Sequence, residues 1–241
     1  MPDKKSIVSD PIELRTAQEY FAAFEEEGFL ETFKHYTGGI FHAEEMKNWS
    51  SKPRFDGIFF WYCWDEDQVY VAAEYRDNFK FDDDLIEQYQ PIPSSEIIEC
   101  TNLIMSSGEK EWNPFLTVFD FEVDVLLGKN KNKASNSVVI QPKVNEFLRQ
   151  TEGKNLCEVG FAYMSVEDGQ DIGRSYLLEF LGNPDLEYIS YHFGFDANDS
   201  PHGLRLVLIA RDAQGKPLQN KIKTSDFKFY MINGSRPPRP R

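Results

Sequence analysis

The residues whose types and spacing come closest to a catalytic pattern lie in the apolar segment 189–196. Side chains along a strand alternate between two faces, so His192 and Asp196 share one face. An imidazole and a carboxylate on one face can act as an acid–base pair or bind a metal, provided that a third group such as His202 converges on them. In a self-alignment of the chain, Trp61 occupies the place of His192. The favoured interpretation of His192 is therefore structural.

Two acidic runs have residue types that bind calcium. These are residues 65–67 (Asp-Glu-Asp) and residues 82–84 (three aspartates). Neither run has the glycine and the distal glutamate that the spacing of an EF-hand loop requires. We interpret both as solvated turn carboxylates and predict no metal site. Asp65 and Asp196 are expected to accept amide hydrogen bonds in their turns, as Asp commonly does.

No known catalytic signature occurs in the chain. The sequence lacks G-x-S-x-G, P-loop, H-E-x-x-H and G-x-G-x-x-G patterns. The Gly-Gly pair at residues 38–39 is interpreted as a turn, and no motif surrounds Cys157. Trp61, Tyr62 and Trp64 form either a recognition surface or part of the core, and we favour the core. No catalytic residue and no cofactor is predicted.

Composition limits the partners that the chain can have. Its 26 basic and 40 acidic residues give a net charge of −14. Nucleic acids and anionic membranes require a basic footprint, which is absent apart from the last few residues. A cationic protein would be attracted to such a surface, although solubility explains the charge equally well. Three widely spaced cysteines in apolar contexts indicate free thiols in a reducing compartment. No signal peptide and no membrane-spanning run is recognised. Together these observations predict the cytoplasm.

The N-terminal part reads as helices followed by a hairpin. Thr16 and Glu19 have capping-box spacing, which predicts a helix that ends near Gly28. A second short helix is predicted over residues 42–50.

The predicted hairpin consists of apolar runs at residues 58–64 and 69–75 around an acidic turn. Its first strand is apolar on both faces, as is typical of a central strand that is covered on both sides.

The remaining elements are predicted from shorter patterns. Residues 95–105 are expected to form a capped helix. Residues 115–127 fit a strand or a helix, and the strand is favoured because β-branched and aromatic residues dominate. A helix near residues 143–151 and a strand at residues 157–164 follow. Residues 171–218 predict a short helix, a proline corner and two long apolar strands joined by a polar turn.

An internal duplication is indicated by the order of these elements. With an offset of 131 positions, residues 41–65 align with residues 172–196 without a gap, and Pro53 meets Pro184. Beyond the hairpin turn the offset becomes 135, and an upstream helix aligns at 127. Identities are few, so the order of elements and the apolar pattern carry the hypothesis. The alternative is that any two helix–hairpin units look alike.

The predicted fold class is α+β, with antiparallel hairpins backed by helices. We divide the chain into a first half (1–80), a connecting segment (81–135), a second half (136–232) and a Pro/Arg-rich tail (233–241). The tail favours polyproline II and is either a docking segment or a frayed terminus.

Residues 171–218 resemble a group of uncharacterised proteins common in Bacteroidota. That group has a helix ending before a proline, an aromatic strand ending in Asp, and an apolar strand closing with V-D-x-x-G. The residues that carry the resemblance are Asn183, Pro184, Tyr191, Phe193, Asp196, residues 204–209, Asp212, Gly215 and Lys216. The proline-rich end is similar to the tails of the group, except that arginine stands where some members carry cysteine. The resemblance implies fold and source but no activity.

The missing catalytic signatures and the acidic charge favour a non-catalytic cytoplasmic protein that binds another protein or itself. An inhibitor-like partner for a basic protein is one concrete version. The alternatives are an enzyme or small-ligand binder with a site between the two halves, and a self-assembling structural protein that pairs edge strands. The candidate binding residues are Trp61, Asp65, Arg76, His192, Asp196, Arg211, Arg236 and Arg239.

Overall fold

The computed structural model describes residues 12–79, 88–100, 102–105, 131–157, 159–166, 176–199, 203–219 and 230–234. Several sequence predictions lie outside these residues: those for the aspartates at 82–84, the segment 115–127, His202 and residues 235–241 of the Pro/Arg-rich tail, with Arg236 and Arg239.

The described part contains five α-helices and ten strands. The helices are α1 (Leu14–Glu26), α2 (Phe29–Thr32), α3 (Glu44–Ser50), α4 (Ser137–Thr151) and α5 (Tyr176–Leu181). The strands are β1 (Tyr36–His42), β2 (Phe55–Asp65), β3 (Gln68–Asp77), β4 (Ile97–Glu99), β5 (Asn102–Met105), β6 (Lys133–Ser135), β7 (Phe161–Ser165), β8 (Tyr188–Phe195), β9 (Leu204–Arg211) and β10 (Met231–Gly234). The predicted α+β class with antiparallel hairpins is confirmed.

The strands form two antiparallel five-stranded sheets. Sheet I has the order β10-β9-β8-β1-β5, and sheet II has the order β6-β4-β3-β2-β7. Sheet I combines strands from both ends of the described chain with β5 from the middle. Each of the two halves divided by sequence therefore supplies strands to both sheets.

The two sheets pack face to face through aromatic side chains. The rings of Phe41 and Phe60 lie 6.5 Å apart, and those of Phe193 and Tyr62 lie 6.2 Å apart. The Tyr191 hydroxyl crosses the interface and accepts a hydrogen bond from the Val71 amide at 3.1 Å. Because Tyr191 and Phe193 point towards sheet II, the alternate residues of β8 point away from it.

Both predicted hairpins form, with β2 pairing with β3 and β8 with β9. β2 is flanked by β3 on one side and β7 on the other, and nearly every residue in it is buried. It is therefore the covered central strand that its apolar faces predict. The short helix before β2 also forms, and it buries Met46 and Trp49.

The helix predicted near residues 143–151 is confirmed; it begins earlier, at Ser137, where the Asn136 side chain accepts from the Val139 amide. Three local predictions are wrong. The capping box fails because α1 begins at Leu14, which places Thr16 inside the helix, while Glu19 bonds to Arg15 at 2.9 Å. Residues 95–105 contain strands β4 and β5 because their apolar residues pair with β3 and β1 instead of forming a helical face.

The third wrong prediction is the Gly-Gly turn. Gly38 and Gly39 lie within β1, and a Cβ atom at Gly38 would come within 2.0 Å of the Tyr191 carbonyl oxygen. Glycine is needed there because the β8 backbone approaches too closely for any side chain.

Helices α1 and α4 occupy similar places on different sheets. α1 packs on β8 and shares a cluster with Val207, Ile209 and Met231 on the outer face of sheet I. α4 packs on β2, where the rings of Phe147 and Tyr62 lie 5.2 Å apart. α1 lies beyond the end of the β1–β8 pairing, and α4 lies beyond the end of the β7–β2 pairing.

Candidate functional site

Trp61 and Arg76 come together on the outer face of sheet II. In the β2–β3 register Phe59 lies opposite Glu74, and Gly57 lies opposite Arg76, so these side chains share a face with Trp61. Glu74 Oε2 accepts hydrogen bonds from Trp61 Nε1 at 2.7 Å and from Arg76 Nη2 at 2.8 Å. The central residue of this cluster, Glu74, was not identified from the sequence.

The backbone of residues 90–92 covers the pair formed by Glu74 and Arg76. The Ile92 amide donates to Glu74 Oε1 at 2.7 Å, and Arg76 Nη2 donates to the Gln90 carbonyl oxygen at 3.1 Å. The Arg76 guanidinium lies over the Phe59 ring at 4.4 Å. As a result Glu74 is 0% exposed and Arg76 is 4% exposed.

Burial governs the electrostatics of the pair. It raises the pKa of Glu74, against the opposing effect of the Arg76 charge. It also lowers the pKa of Arg76, against the opposing effect of Glu74. Three donors on the carboxylate and an aromatic face under the guanidinium compensate for the lost hydration. The arrangement is a closed structural ion pair.

His192 and Arg211 meet on the outer face of sheet I. Arg211 Nε donates to Ser190 Oγ at 2.7 Å, and the same hydroxyl lies 3.0 Å from His192 Nε2. Arg211 Nη1 also donates to the Gly215 carbonyl oxygen at 3.0 Å. Ser190, His192 and Arg211 are at most 1% exposed, and the Phe21 ring of α1 covers the imidazole at 5.8 Å.

Ser190 and His192 have the residue types of a nucleophile and its base, but their burial fits a structural role. Burial lowers the pKa of His192 well below its usual range, and the Arg211 charge acts in the same direction. Burial lowers the pKa of Arg211 to about 9. The imidazole is therefore neutral at pH 7, and α1 blocks the approach of a substrate to Ser190.

Asp196 and Asp65 belong to two other clusters. Asp196 accepts from the Asn198 amide at 3.1 Å, as predicted for a turn, and from Arg205 Nη2 at 3.0 Å. The same Arg205 atom bonds to Asp199 at 2.6 Å. Asp65 lies 2.7 Å from Lys143 Nζ of α4.

Lys143 connects Asp65 to a buried group on sheet II. Its Nζ atom donates to the Tyr70 hydroxyl at 2.7 Å and lies 3.3 Å from Glu99 Oε2. Tyr70 itself donates to Glu99. Burial raises the pKa of Glu99, but its hydrogen bonds and the neighbouring lysines outweigh this effect, so the net pKa is lowered. The network ties α4, β3 and β4 together.

The cysteines are free thiols, as predicted. Burial raises the pKa of Cys63 well above its usual range and raises that of Cys100 to about 12. Nucleophilic chemistry requires a thiolate, so neither cysteine is suited to it. Cys100 Sγ instead lies 3.1 Å from the Tyr191 hydroxyl between the sheets.

The exposed feature with the clearest electrostatic character is the end of α1. Glu25, Glu26 and Glu27 are all exposed, and the last turn of the helix contains no basic residue. Glu27 is the C-cap residue, and Gly28 follows in the left-handed conformation. We call these three glutamates the acidic end of α1.

The predicted site residues thus fall into separate places. Trp61 with Arg76, and His192 with Arg211, lie on the opposite outer faces of the sandwich. The signal that could have found Glu74 is the two-residue turn of the β2–β3 hairpin, which fixes the residues that share a face. The longer connection between β8 and β9 gives no such signal for Ser190. The acidic end of α1 is visible in the sequence as three consecutive glutamates.

Within the described residues, no three His, Cys, Asp or Glu side chains converge as metal ligands. None of the described helices has the length and apolarity needed to cross a membrane. Comparison of the chain with protein-family models, curated proteins and solved structures finds no match.

Proposed function

We propose that this chain is a non-catalytic protein that binds a basic protein through the acidic end of α1. The observation that carries the proposal is the position of Glu25, Glu26 and Glu27 at the C-terminal end of a helix. The helix macrodipole places partial negative charge there, so a carboxylate is unfavourable by about 0.3–1 kcal/mol. Three exposed glutamates at such a position cost stability, and a cationic partner would relieve that cost.

The whole-chain charge supports the same partner chemistry. A net charge of −14 steers a cationic protein towards the surface and repels nucleic acid and anionic lipid. We therefore propose a protein partner, with inhibitor-like binding as the concrete version, and no nucleic-acid or membrane partner. We also propose the cytoplasm as the compartment, because the free thiols suit a reducing environment.

An enzyme or ligand binder with a site between the two halves has weaker support. The groups that would serve such a site, His192 and Arg211, are buried and bonded to Ser190, and Phe21 of α1 covers the imidazole. Self-assembly through edge strands is the third proposal, and a monomer at all concentrations in light scattering would eliminate it.

We propose in addition that the two halves arose by internal duplication. Ile58 pairs with Tyr75, and at offsets of 131 and 135 the equivalent residues Ile189 and Ala210 also pair. The correspondence holds for every pair from Gly57 and Arg76 to Trp64 and Val69, beyond the register shift between Phe55 and Gly57. It supports a common origin more strongly than the order of elements alone.

The experiment is a pull-down from native cytoplasm with the tagged full-length chain, with mass spectrometry of the bound proteins. The E25Q/E26Q/E27Q variant is compared with the wild type and with a matched control, E66Q/E152Q/E187Q. The control removes three exposed carboxylates elsewhere.

The proposal predicts a stoichiometric basic partner that is released by salt. The acidic-end variant should weaken binding roughly 3- to 100-fold, and the control variant should retain it. An acidic or neutral partner, or a partner held equally by both variants, would reject the proposal.

A further inference from the structure

The described elements occur in the same order twice. α1, β1, α3, β2, β3 and β4 are followed by α4, β7, α5, β8, β9 and β10. Each series reads helix, strand, helix and three strands, with α2 inserted in the first series and β5 and β6 between the two.

The third strand of each hairpin sheet pairs in the same register. Ile97 lies opposite Glu74 and Ile98 opposite Ala73. In the second series Met231 lies opposite Ile209 and Ile232 opposite Leu208. All three residues of β4 map onto β10 with one offset of 134 (231 minus 97).

The first strands also correspond, but each pairs with the hairpin of the other series. β1 pairs with β8, with Gly38 opposite His192, whereas β7 pairs with β2, with Phe161 opposite Trp61. His192 and Trp61 are equivalent positions, so Gly38 and Phe161 are equivalent at an offset of 123 (161 minus 38). The other pairs in these two ladders give the same offset.

The helices before these strands follow the same offset. α1 begins at residue 14 and α4 at residue 137, a difference of 123. The buried residues Ala17, Phe21 and Phe24 map onto the buried residues Ile140, Val144 and Phe147. The upstream offset of 127 suggested by the sequence alone does not align these faces.

Each helix packs on the hairpin with which its own strand pairs. The Phe24 ring lies 6.2 Å from Phe193 of β8, and the Phe147 ring lies 5.2 Å from Tyr62 of β2. Phe193 and Tyr62 are themselves equivalent positions at the hairpin offset of 131.

We infer that the chain consists of two equivalent repeats that exchange their N-terminal helix–strand arms. The arms are residues 14–42 and residues 137–165, which have equal length. Each arm completes the sheet of the other repeat, so neither repeat has a complete sheet of its own. The two repeats must therefore fold together as one cooperative unit.

Double-mutant cycles on the full chain test the exchange. Phe24→Leu with Phe193→Leu, and Phe147→Leu with Tyr62→Leu, should each show coupling of roughly 2- to 10-fold in the unfolding equilibrium constant. The matched cycles, Phe24 with Tyr62 and Phe147 with Phe193, join residues through shared ring partners and should couple more weakly than the first two. Coupling of the matched cycles that equals or exceeds the first two would overturn the exchange.

A graft tests the equivalence of the arms independently of the exchange. Residues 14–42 are replaced by the sequence of residues 137–165 and, in the control, by that of residues 136–164. A one-residue shift turns every side chain of the strand to the opposite face. The in-register graft should unfold cooperatively at a higher urea concentration than the shifted graft. Equal behaviour of the two grafts would refute the equivalence.

Discussion

Replacing Arg76 by methionine removes one member of the buried ion pair while keeping an unbranched side chain over Phe59. Glu74 then remains 0% exposed, with Trp61 Nε1 and the Ile92 amide as its donors. Removing one partner of a buried pair costs about 3–5 kcal/mol, because the other charge is left uncompensated. Two retained hydrogen bonds place the expected loss at the lower end, at about 3 kcal/mol.

The control is E74Q/R76M, which removes both charges and keeps an acceptor for Trp61. It should recover at least about 1 kcal/mol relative to R76M, and the single variant E74Q completes the cycle that gives the coupling within the pair. Urea unfolding followed by circular dichroism and tryptophan fluorescence gives both values. A loss below about 1 kcal/mol for R76M, or a double variant less stable than R76M, would refute the reasoning.

The cost of R76M should also depend on pH. The pKa of Glu74 is raised in the folded chain, so its contribution to stability is fully present below the ordinary carboxyl pKa and is lost as pH rises through the folded value. Without Arg76 this loss becomes larger. The gap between wild type and R76M should therefore shrink on acidification, and a gap independent of pH would contradict this.

Three further predictions concern single residues. The pKa of His192 is depressed on folding, so the contribution of this residue to stability is present above about pH 6.5 and is lost as pH falls. In thermal unfolding, H192Q should therefore be less sensitive to acid than the wild type between about pH 7 and pH 5. An unchanged acid sensitivity would contradict this. Cys63 and Cys100 should resist a thiol reagent until the chain unfolds, and rapid modification of the native protein would show that they are accessible. Gly38→Ala should lower the free energy of unfolding by about 1–3 kcal/mol or more, because the added Cβ would meet the Tyr191 carbonyl oxygen. A change within about 0.5 kcal/mol in urea unfolding would show that the two strands can move apart freely.

The strongest apolar patterns predicted the elements that they form. The hairpins and the helix with Met46 and Trp49 follow from dense apolar runs bounded by polar turns. Residues 95–105 were misread because a strand of three or four residues has too few side chains to show a period of two. The helix predicted near residues 143–151 extends further towards the N-terminus, because the Asn136 cap secures its first turn at Ser137.

The site residues were only partly predictable, since their partners depend on pairing. Trp61, Arg76, His192 and Arg211 were recognised as polar or aromatic positions on the four strands of the two hairpins. Glu74 and Ser190, which hold them together, gain their roles from the cross-strand register. The exchange of the arms could not be predicted either, because a sequence alignment shows which residues are equivalent but does not show which strands pair.

The central claim is that the surface at the end of α1, and not the polar interior, carries the function. The direct measurement is the affinity of the captured basic partner for wild type, E26R/E27Q and H192Q by calorimetry at low salt. E26R/E27Q gives α1 the residues that α4 carries at the equivalent positions, Arg149 and Gln150, so the helix should be retained. The account predicts loss of binding in E26R/E27Q and full binding in H192Q. Full binding in E26R/E27Q with loss in H192Q would contradict it.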